Sequence, residues 1–157
     1  MVLSVWVAEW ILDEDRRTVR VDDALTEWLT FIEVERLPHV PAGQLQTLRG
    51  VARDLPRWPG TEDGRHPVSI SVDGATLYWD APRPVDGSVE ITGVVFLNNI
   101  DAPDGFPVTR GVIRRVRMER QAPGTAPDGT PLPALRWSGC LVDLEPDAPV
   151  PSASQES

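Results

Sequence analysis

The stretch of this 157-residue chain that most constrains the fold is 88–120, which carries the clearest alternation of apolar and polar side chains. A two-residue period is typical of β-strands, because successive side chains of a strand point to opposite faces of the sheet. We predict two strands in this stretch, at 89–98 and 108–120, joined by a loop that is rich in Asp, Pro and Gly. The fold is therefore expected to be organised around this pair of long strands.

The apolar positions also predict how the two strands pair. In an antiparallel hairpin whose paired positions sum to 207, Val89 lies opposite Met118 and Glu90 lies opposite Arg117 as a cross-strand ion pair. The same register turns Arg114 toward the apolar face, where its guanidinium would need a carboxylate partner. A shift by one residue would move the apolar side chains to the wrong face, so we expect this register to be well specified.

Other segments of the chain show the pattern of short strands. Asp73-Gly74 is the dipeptide most typical of a two-residue hairpin turn, and apolar runs flank it on both sides. The further predicted strands lie at 3–12, 68–72, 75–79 and 134–144. We therefore predict a mainly β fold: a small barrel or sandwich of about seven or eight short antiparallel strands, with one helix near 42–55.

The helix and its neighbour rest on less regular patterns. At 42–55, Leu48 and Ala52 belong to an apolar stripe at helical spacing, which predicts the one helix of the fold. Residues 22–36 fit either a helical stripe or one face of a strand. Their content of β-branched and aromatic residues favours a strand at 28–35.

Length and composition set the domain organisation and the expected location. The chain is long enough for one domain, which we assign to 1–144. Residues 145–157 contain three prolines, three serines and almost no bulky apolar side chain, so we expect a disordered tail that adds nothing to stability. The apolar N-terminus lacks a basic region and contains Glu9, and no run of 18 apolar residues exists. We therefore expect a cytoplasmic protein without a membrane anchor.

The chemistry of the side chains gives few catalytic or metal-binding signatures. His39 and His66 fall in predicted loops, and the single Cys140 falls in a predicted strand, where we expect a buried and unreactive thiol. The sequence has no phosphate loop, no dinucleotide-binding glycines and no nucleophilic serine elbow. We predict no catalytic residue, no metal site and no cofactor.

One short stretch concentrates positive charge in a chain whose net charge is −9. Against a single acid, Glu119, it carries five arginines and a charge of +4: Arg110, Arg114, Arg115, Arg117 and Arg120. Two interpretations stay open. These arginines either pair with acidic neighbours on a solvated strand, or they contact an anion or a partner protein through bidentate hydrogen bonds. The negative net charge makes general binding of nucleic acid or of anionic membranes unlikely on electrostatic grounds.

Three further residues are candidates for contact with a partner. Trp58 lies between prolines, where it would either anchor an interface or pack back over the end of the predicted helix. Asp101 and Asp104 lie in the loop of the predicted central hairpin, which would be free to meet a partner. A calcium site would need a denser set of oxygen ligands than these two residues provide.

Three segments of the chain share their residue order with known proteins: Val5–Trp10, Pro107–Ile113 and Leu135–Val142. Together they resemble a family of small actinobacterial proteins that is classed as a domain of unknown function. In that family, paired cysteines follow the first strand and a His-His pair precedes the Pro-x-Thr segment. This chain has 13–15 (Asp-Glu-Asp) and 98–100 (Asn-Asn-Ile) in those places. The resemblance therefore implies a bacterial cytosolic origin but no metal, redox or catalytic role.

These observations favour a non-catalytic binding or regulatory module that contacts a protein partner. A small enzyme with a carboxylate-based site is one alternative. A binder of anions or single-stranded nucleic acid, using the 110–120 strand, is the other.

Overall fold

The computed structural model describes residues 2–8, 19–37, 42–97, 102–119 and 139–148. Within these residues the chain forms nine β-strands and two 3₁₀ helices of three residues each. In chain order the strands are β1 Leu3–Ala8, β2 Ala24–Glu27, β3 Leu29–Glu33, β4 Gln46–Asp54, β5 His66–Val72, β6 Ala75–Ala81, β7 Gly87–Leu97, β8 Thr109–Glu119 and β9 Gly139–Pro146. The 3₁₀ helices are Val34–Arg36 and Ala42–Gln44.

The nine strands form one sheet that closes on itself over part of its width. Their order is β2-β8-β9-β1-β7-β3-β6-β5-β4, and β4 also pairs with β7. This last pairing closes β7, β3, β6, β5 and β4 into a five-stranded barrel, from which β1, β9, β8 and β2 continue as an extension. The prediction of a mainly β barrel is confirmed. Two pairings, β1 with β7 and β3 with β6, are parallel, so the prediction of antiparallel strands does not hold for these two.

Strand β7 is the element that joins the barrel to its extension. Along one edge, β4 pairs with the first part of β7, and β1 pairs with the second part through Val5 and Val95. The side chain of Gln46 bridges the two segments, because its amide both donates to and accepts from the backbone of Ser4. Barrel and extension share one apolar core, to which every strand contributes.

The predicted pairing between the two long strands is wrong, although both strands exist close to their predicted bounds. Among the described residues β7 pairs with β1, β3 and β4, whereas β8 pairs with β2 and β9. Glu90 accordingly pairs with Arg49, and Arg117 with Asp143. The alternation of apolar residues fixed which face each strand buries, but it carried no information about which strand lies alongside.

The predicted helix at 42–55 is also wrong, because most of this segment is β4. Leu48 and Ala52 are buried, and a spacing of four residues places side chains on one face of a helix and equally on one face of a strand. Gly50 lies between them, and a Cβ there would collide with the backbone oxygen of Ser71 on β5. Gly50 is therefore a site where two strands approach closely.

Two local predictions are confirmed. Residues 28–35 contain β3, and the segment before it forms the short strand β2, so the strand interpretation of 22–36 holds. Asp73 and Gly74, with φ of 42° and 92°, form the predicted turn between β5 and β6. Both central residues of such a tight hairpin turn need positive φ, which explains the Asp-Gly pair.

The C-terminal strand β9 ends at Pro146, two residues beyond the predicted end of the domain at Leu144. The backbone N–H of Asp147 then donates to the carbonyl of Arg110 at 2.8 Å. The remainder of the predicted tail, 149–157, lies outside the described residues. None of the helices in the described part of the chain is long and apolar enough to cross a membrane.

Candidate functional site

The arginines of β8 lie beside the carboxylates of β9. A register shift between Ile113 and Arg115 interrupts the pairing of the two strands, and it leaves both Arg114 and Arg115 exposed. Such a bulge re-aims the side chains around the extra residue. Arg114 donates to Glu145 at 2.6 Å and lies 3.5 Å from Asp22.

These contacts change the acid–base properties of the pair. The hydrogen bond from Arg114, together with its positive charge, lowers the pKa of Glu145 below its usual value. The same bond raises the pKa of Arg114. Arg114 is therefore paired with carboxylates of the protein itself.

Arg117 is also paired, whereas Arg110 and Arg115 are not. Arg117 donates to Asp143 at 3.1 Å, and both side chains are partly buried. Arg110 and Arg115 are exposed and form no ion pair with another described residue. Arg120 lies outside the described residues. Half of the described arginines of β8 thus fit the interpretation of a solvated strand whose charges are neutralised by neighbours.

Two of the other candidates, Trp58 and Asp104, lie on opposite walls of one groove. The first wall is the connection between β4 and β5, residues 55–65, which we call the Trp58 loop. The second is residues 102–108, the described end of the connection between β7 and β8, which we call the Phe106 loop. The groove has a volume of about 710 Å³ and is lined by Arg53, Leu55, Pro56, Arg57, Trp58, Pro59, Pro103, Asp104, Gly105, Phe106 and Pro107. Asp101 lies outside the described residues.

Tyr78 on β6 supports both walls of the groove. Its ring is buried and meets the ring of Trp58 edge to face, at a centroid distance of 6.0 Å, and that of Phe106 at 5.5 Å. Such edge-to-face pairs are favourable beyond the area that they bury. The Phe106 loop has a second attachment, because the indole N–H of Trp28 donates to the carbonyl of Phe106 at 3.0 Å.

A short chain of hydrogen bonds runs beneath the groove. The indole N–H of Trp58 donates to the Tyr78 hydroxyl at 2.7 Å, and that hydroxyl donates to Asp80 at 2.7 Å. Burial raises the pKa of Tyr78 well above its usual value, and the neighbouring carboxylate raises it further. The phenol therefore stays protonated, and the polar groups behind Trp58 have their partners within the protein.

The Trp58 loop is held in shape by its own hydrogen bonds. Trp58 and Thr61 exchange two of them, at 2.9 and 3.1 Å. The guanidinium of Arg57 donates to the backbone carbonyls of Glu62 and Arg65. The ring of Trp58 lies so close to Gly60 that a Cβ at that position would collide with it. The loop thus presents Trp58 in one defined orientation.

A buried carboxylate connects this loop to the end of the barrel. Glu33 accepts a hydrogen bond from Arg65 of the loop at 2.8 Å on one oxygen, and one from the indole of Trp79 at 3.1 Å on the other. Trp79 is buried and packs edge to face on Phe31. Both oxygens of Glu33 are occupied, so this carboxylate positions the loop.

Cys140 and His66, the remaining reactive groups that the structure describes, do not line the groove. Cys140 is buried, as predicted, and its thiol donates to the sulfur of Met118 at 3.0 Å. Burial raises the pKa of Cys140, which keeps the thiol neutral. His66 begins β5 and does not lie in the predicted loop, while His39 lies outside the described residues. The described part of the chain contains no group of three or more His, Cys, Asp and Glu side chains that could hold a metal ion.

Sequence reasoning missed the residues that build the groove. Tyr78, Phe106 and Arg53 come from three separate segments, and only the fold brings them together. A signal existed for Phe106, since it is a large apolar residue in an otherwise polar and proline-rich loop. Tyr78 offered a weaker one as the single tyrosine of the chain, at an outward position of an alternating strand.

Comparison of the chain with protein-family models, with curated proteins and with solved structures finds no match.

Proposed function

We propose that this chain is a non-catalytic binding module that recognises a protein partner through the groove between the Trp58 loop and the Phe106 loop. The observation that carries the proposal is that the groove is already assembled. Trp58 and Phe106 both pack on the buried ring of Tyr78. A binding site whose walls are ordered in advance loses less conformational entropy when a partner binds.

The composition of the groove supports a protein partner. A tryptophan in a shaped pocket is the type of residue that dominates the binding energy of protein interfaces. Four prolines and Phe106 extend the apolar lining on both sides of Trp58. Val108, next to the groove, is 40% exposed and continues this apolar surface.

The buried carboxylates support binding over the alternative of a carboxylate-based enzyme. Glu33 accepts hydrogen bonds from Arg65 and Trp79, and Asp80 accepts one from Tyr78. A general acid or base must reach a substrate proton directly or through one water. Carboxylates that are buried and already bonded to side chains of the protein suit a structural role better.

The exposed arginines of β8 favour a second candidate function, the binding of an anion or a single-stranded nucleic acid. Arg110 and Arg115 would supply its positive charge. Such binding would weaken steeply with added salt, because phosphate contacts release counterions. Arg114 and Arg117 would first have to leave Glu145 and Asp143, which makes this candidate the weaker of the two.

The test is affinity capture from cytoplasmic extract of the native cells with three immobilised forms of the protein. These are the wild type, Trp58→Ala and the control Arg115→Ala, which removes an exposed arginine outside the groove. We expect a protein that the wild type and Arg115→Ala retain and that Trp58→Ala loses. If Trp58→Ala retains the same proteins while Arg115→Ala loses them, or if no protein distinguishes the three forms, the groove is not the binding site.

A further inference from the structure

Two oppositely charged side chains on the rim of the groove have no partner among the described residues. Arg53, at the end of β4, lines the wall of the Trp58 loop, and Asp104 lines the wall of the Phe106 loop. Both are exposed, and neither forms a hydrogen bond or an ion pair within the described ranges. Within the described part of the chain, the rim therefore has an unpaired positive charge on one wall and an unpaired negative charge on the other.

The other arginines of the Trp58 loop and its surroundings differ from Arg53, because they are paired. Arg57 is bonded to two carbonyls of its own loop and lies 3.9 Å from Asp63. Arg36 pairs with Glu62. Arg65 pairs with the buried Glu33. Of the two arginines that line the groove, Arg53 is the one whose guanidinium has no partner in the described part of the chain.

The lining of the groove also restricts how a ligand can be held. Four of its residues are prolines, which have no backbone N–H to donate. The indole N–H of Trp58 is already bonded to Tyr78. An extended ligand therefore finds little opportunity to add as a β-strand, since that mode depends on main-chain hydrogen bonds. Apolar contact with the rings and prolines, and charge pairing at the rim, are the interactions that remain.

We infer that the groove binds an extended segment of the partner protein in which an apolar or aromatic side chain is flanked by an acidic residue on one side and a basic residue on the other. The apolar side chain packs between Trp58 and Phe106. The acidic residue pairs with Arg53 and the basic residue with Asp104. The groove volume of about 710 Å³ lies within the range of roughly 300–1,000 Å³ that is usual for ligand sites. This inference rests on the proposed function and adds the chemistry of the partner to it.

Opposite charges on the two walls also give the ligand a direction. A segment with the acidic and basic residues exchanged would place like charges together at both walls of the groove. Such like-charge contacts disfavour the wrong partner more than correct pairs favour the right one. The two walls thus determine the order of the acidic and basic residues along the bound segment.

The test uses a display library of random linear peptides, selected on the purified full-length protein. Peptides that bind the wild type are expected to share an apolar residue between an acid and a base in one order. Selection on Arg53→Glu should replace the acid by a base at that position, and selection on Asp104→Arg should replace the base by an acid. A selected wild-type peptide should bind Arg53→Glu about tenfold more weakly at low salt, with a smaller difference at high salt.

Three controls separate the inference from the proposed function. Arg115→Glu carries the same charge change outside the groove and should select the wild-type peptides. Peptides that bind the wild type but not Trp58→Ala, and that show no charge preference altered by Arg53→Glu or Asp104→Arg, would overturn the inference and leave the proposed function intact. No enrichment over Trp58→Ala would overturn both. Circular dichroism and thermal unfolding check that each variant is folded. The charge variants are expected to be folded because the substituted side chains are exposed.

Discussion

Strand β8 and the groove between the two loops both carry arginines, but these arginines differ in whether the protein itself pairs them. On β8, Arg114 and Arg117 are bonded to Glu145 and Asp143 of the adjacent strand. At the groove, the guanidinium of Arg53 has no such partner within the described residues. Half of the described arginines of β8 are therefore already neutralised within the protein, and Arg110 and Arg115 are the ones left for a partner.

The difference comes from the surroundings of each arginine. β8 lies next to β9, a strand that carries Asp143 and Glu145, so sheet formation itself neutralises much of its charge. The Trp58 loop places its own carbonyls around Arg57 and leaves Arg53 outside that network. The neighbouring strand or loop thus decides whether an arginine is available for binding, because an exposed arginine that is already paired must first leave its carboxylate.

The largest expected effect tests whether the groove depends on Tyr78. Replacing Tyr78 by Ala should lower the free energy of unfolding by on the order of 3–5 kcal/mol, because it opens a cavity under both loops. Tyr78→Phe keeps the ring but leaves the Trp58 indole and the Asp80 carboxylate without their partner, which should cost about 1–3 kcal/mol. Urea denaturation measures both values.

Hydrogen exchange of Tyr78→Phe locates the effect. Amides of the Trp58 loop should exchange faster than in the wild type, whereas those of β8 should exchange as before. If amide exchange became faster to the same extent in both regions, the Trp58 loop and β8 would belong to one cooperative unit. The two surfaces could then not be treated as structurally independent.

Much of the fold could be predicted because alternation is a local property. The Asp73-Gly74 turn and the strand at 89–98 follow directly from residue order, and the structure confirms both. The pairing of β7 with β1, β3 and β4 could not be predicted, since it joins residues that are far apart in the chain. The helix at 42–55 failed for a related reason: the spacing of Leu48 and Ala52 suits both structures, and the contact of Gly50 with β5 decides between them.

The site was predictable in part. Trp58 and Asp104 were recognised separately, from an aromatic residue between prolines and from an acidic loop, but nothing in the sequence indicated that they line one groove. The arginines of β8 were conspicuous in the sequence. Their partners Asp143 and Glu145 lie far along the chain, so only the structure shows that these carboxylates neutralise two of the arginines.

The next prediction compares a paired arginine with a free one on β8. Arg117→Met should lower the free energy of unfolding by about 1–2 kcal/mol, because it leaves the partly buried Asp143 without its donor. Arg115→Met removes an exposed arginine without an ion partner in the described region, so its effect should stay within about 0.5 kcal/mol. Similar losses for the two variants, measured by urea denaturation, would contradict the distinction between paired and free arginines.

A smaller effect is expected at the C-terminal end of β9, which supports the arginine strand. Ending the chain after Glu145 removes the bond from the Asp147 N–H to the Arg110 carbonyl and should cost about 1 kcal/mol. Ending it after Ala148 keeps that bond. The residues then lost carry too little apolar surface to offset the entropy of ordering them, so the melting temperature should not change. A drop in melting temperature on removing 149–157 alone would show that this segment contributes to stability.

The smallest effect concerns the pH dependence of the Arg114–Glu145 pair. The pKa of Glu145 is lowered from its ordinary value of 4.5, first by the hydrogen bond from Arg114 and then by its charge. A carboxyl whose pKa is lower in the folded state stabilises the fold above its unfolded pKa, and this contribution disappears as the pH falls through the folded value. Glu145→Gln should therefore melt slightly below the wild type at pH 7, and the gap should close as the pH falls below about 4.5. Both side chains are about half exposed, so salt should also narrow the gap at pH 7.

Glu35→Gln, which removes an exposed carboxylate that has no ion partner among the described residues, serves as the control and should show no gap that salt can close. A gap for Glu145→Gln that persists unchanged at pH 3 would mean that the pair does not form as described, and that Arg114 is as free for a partner as Arg53.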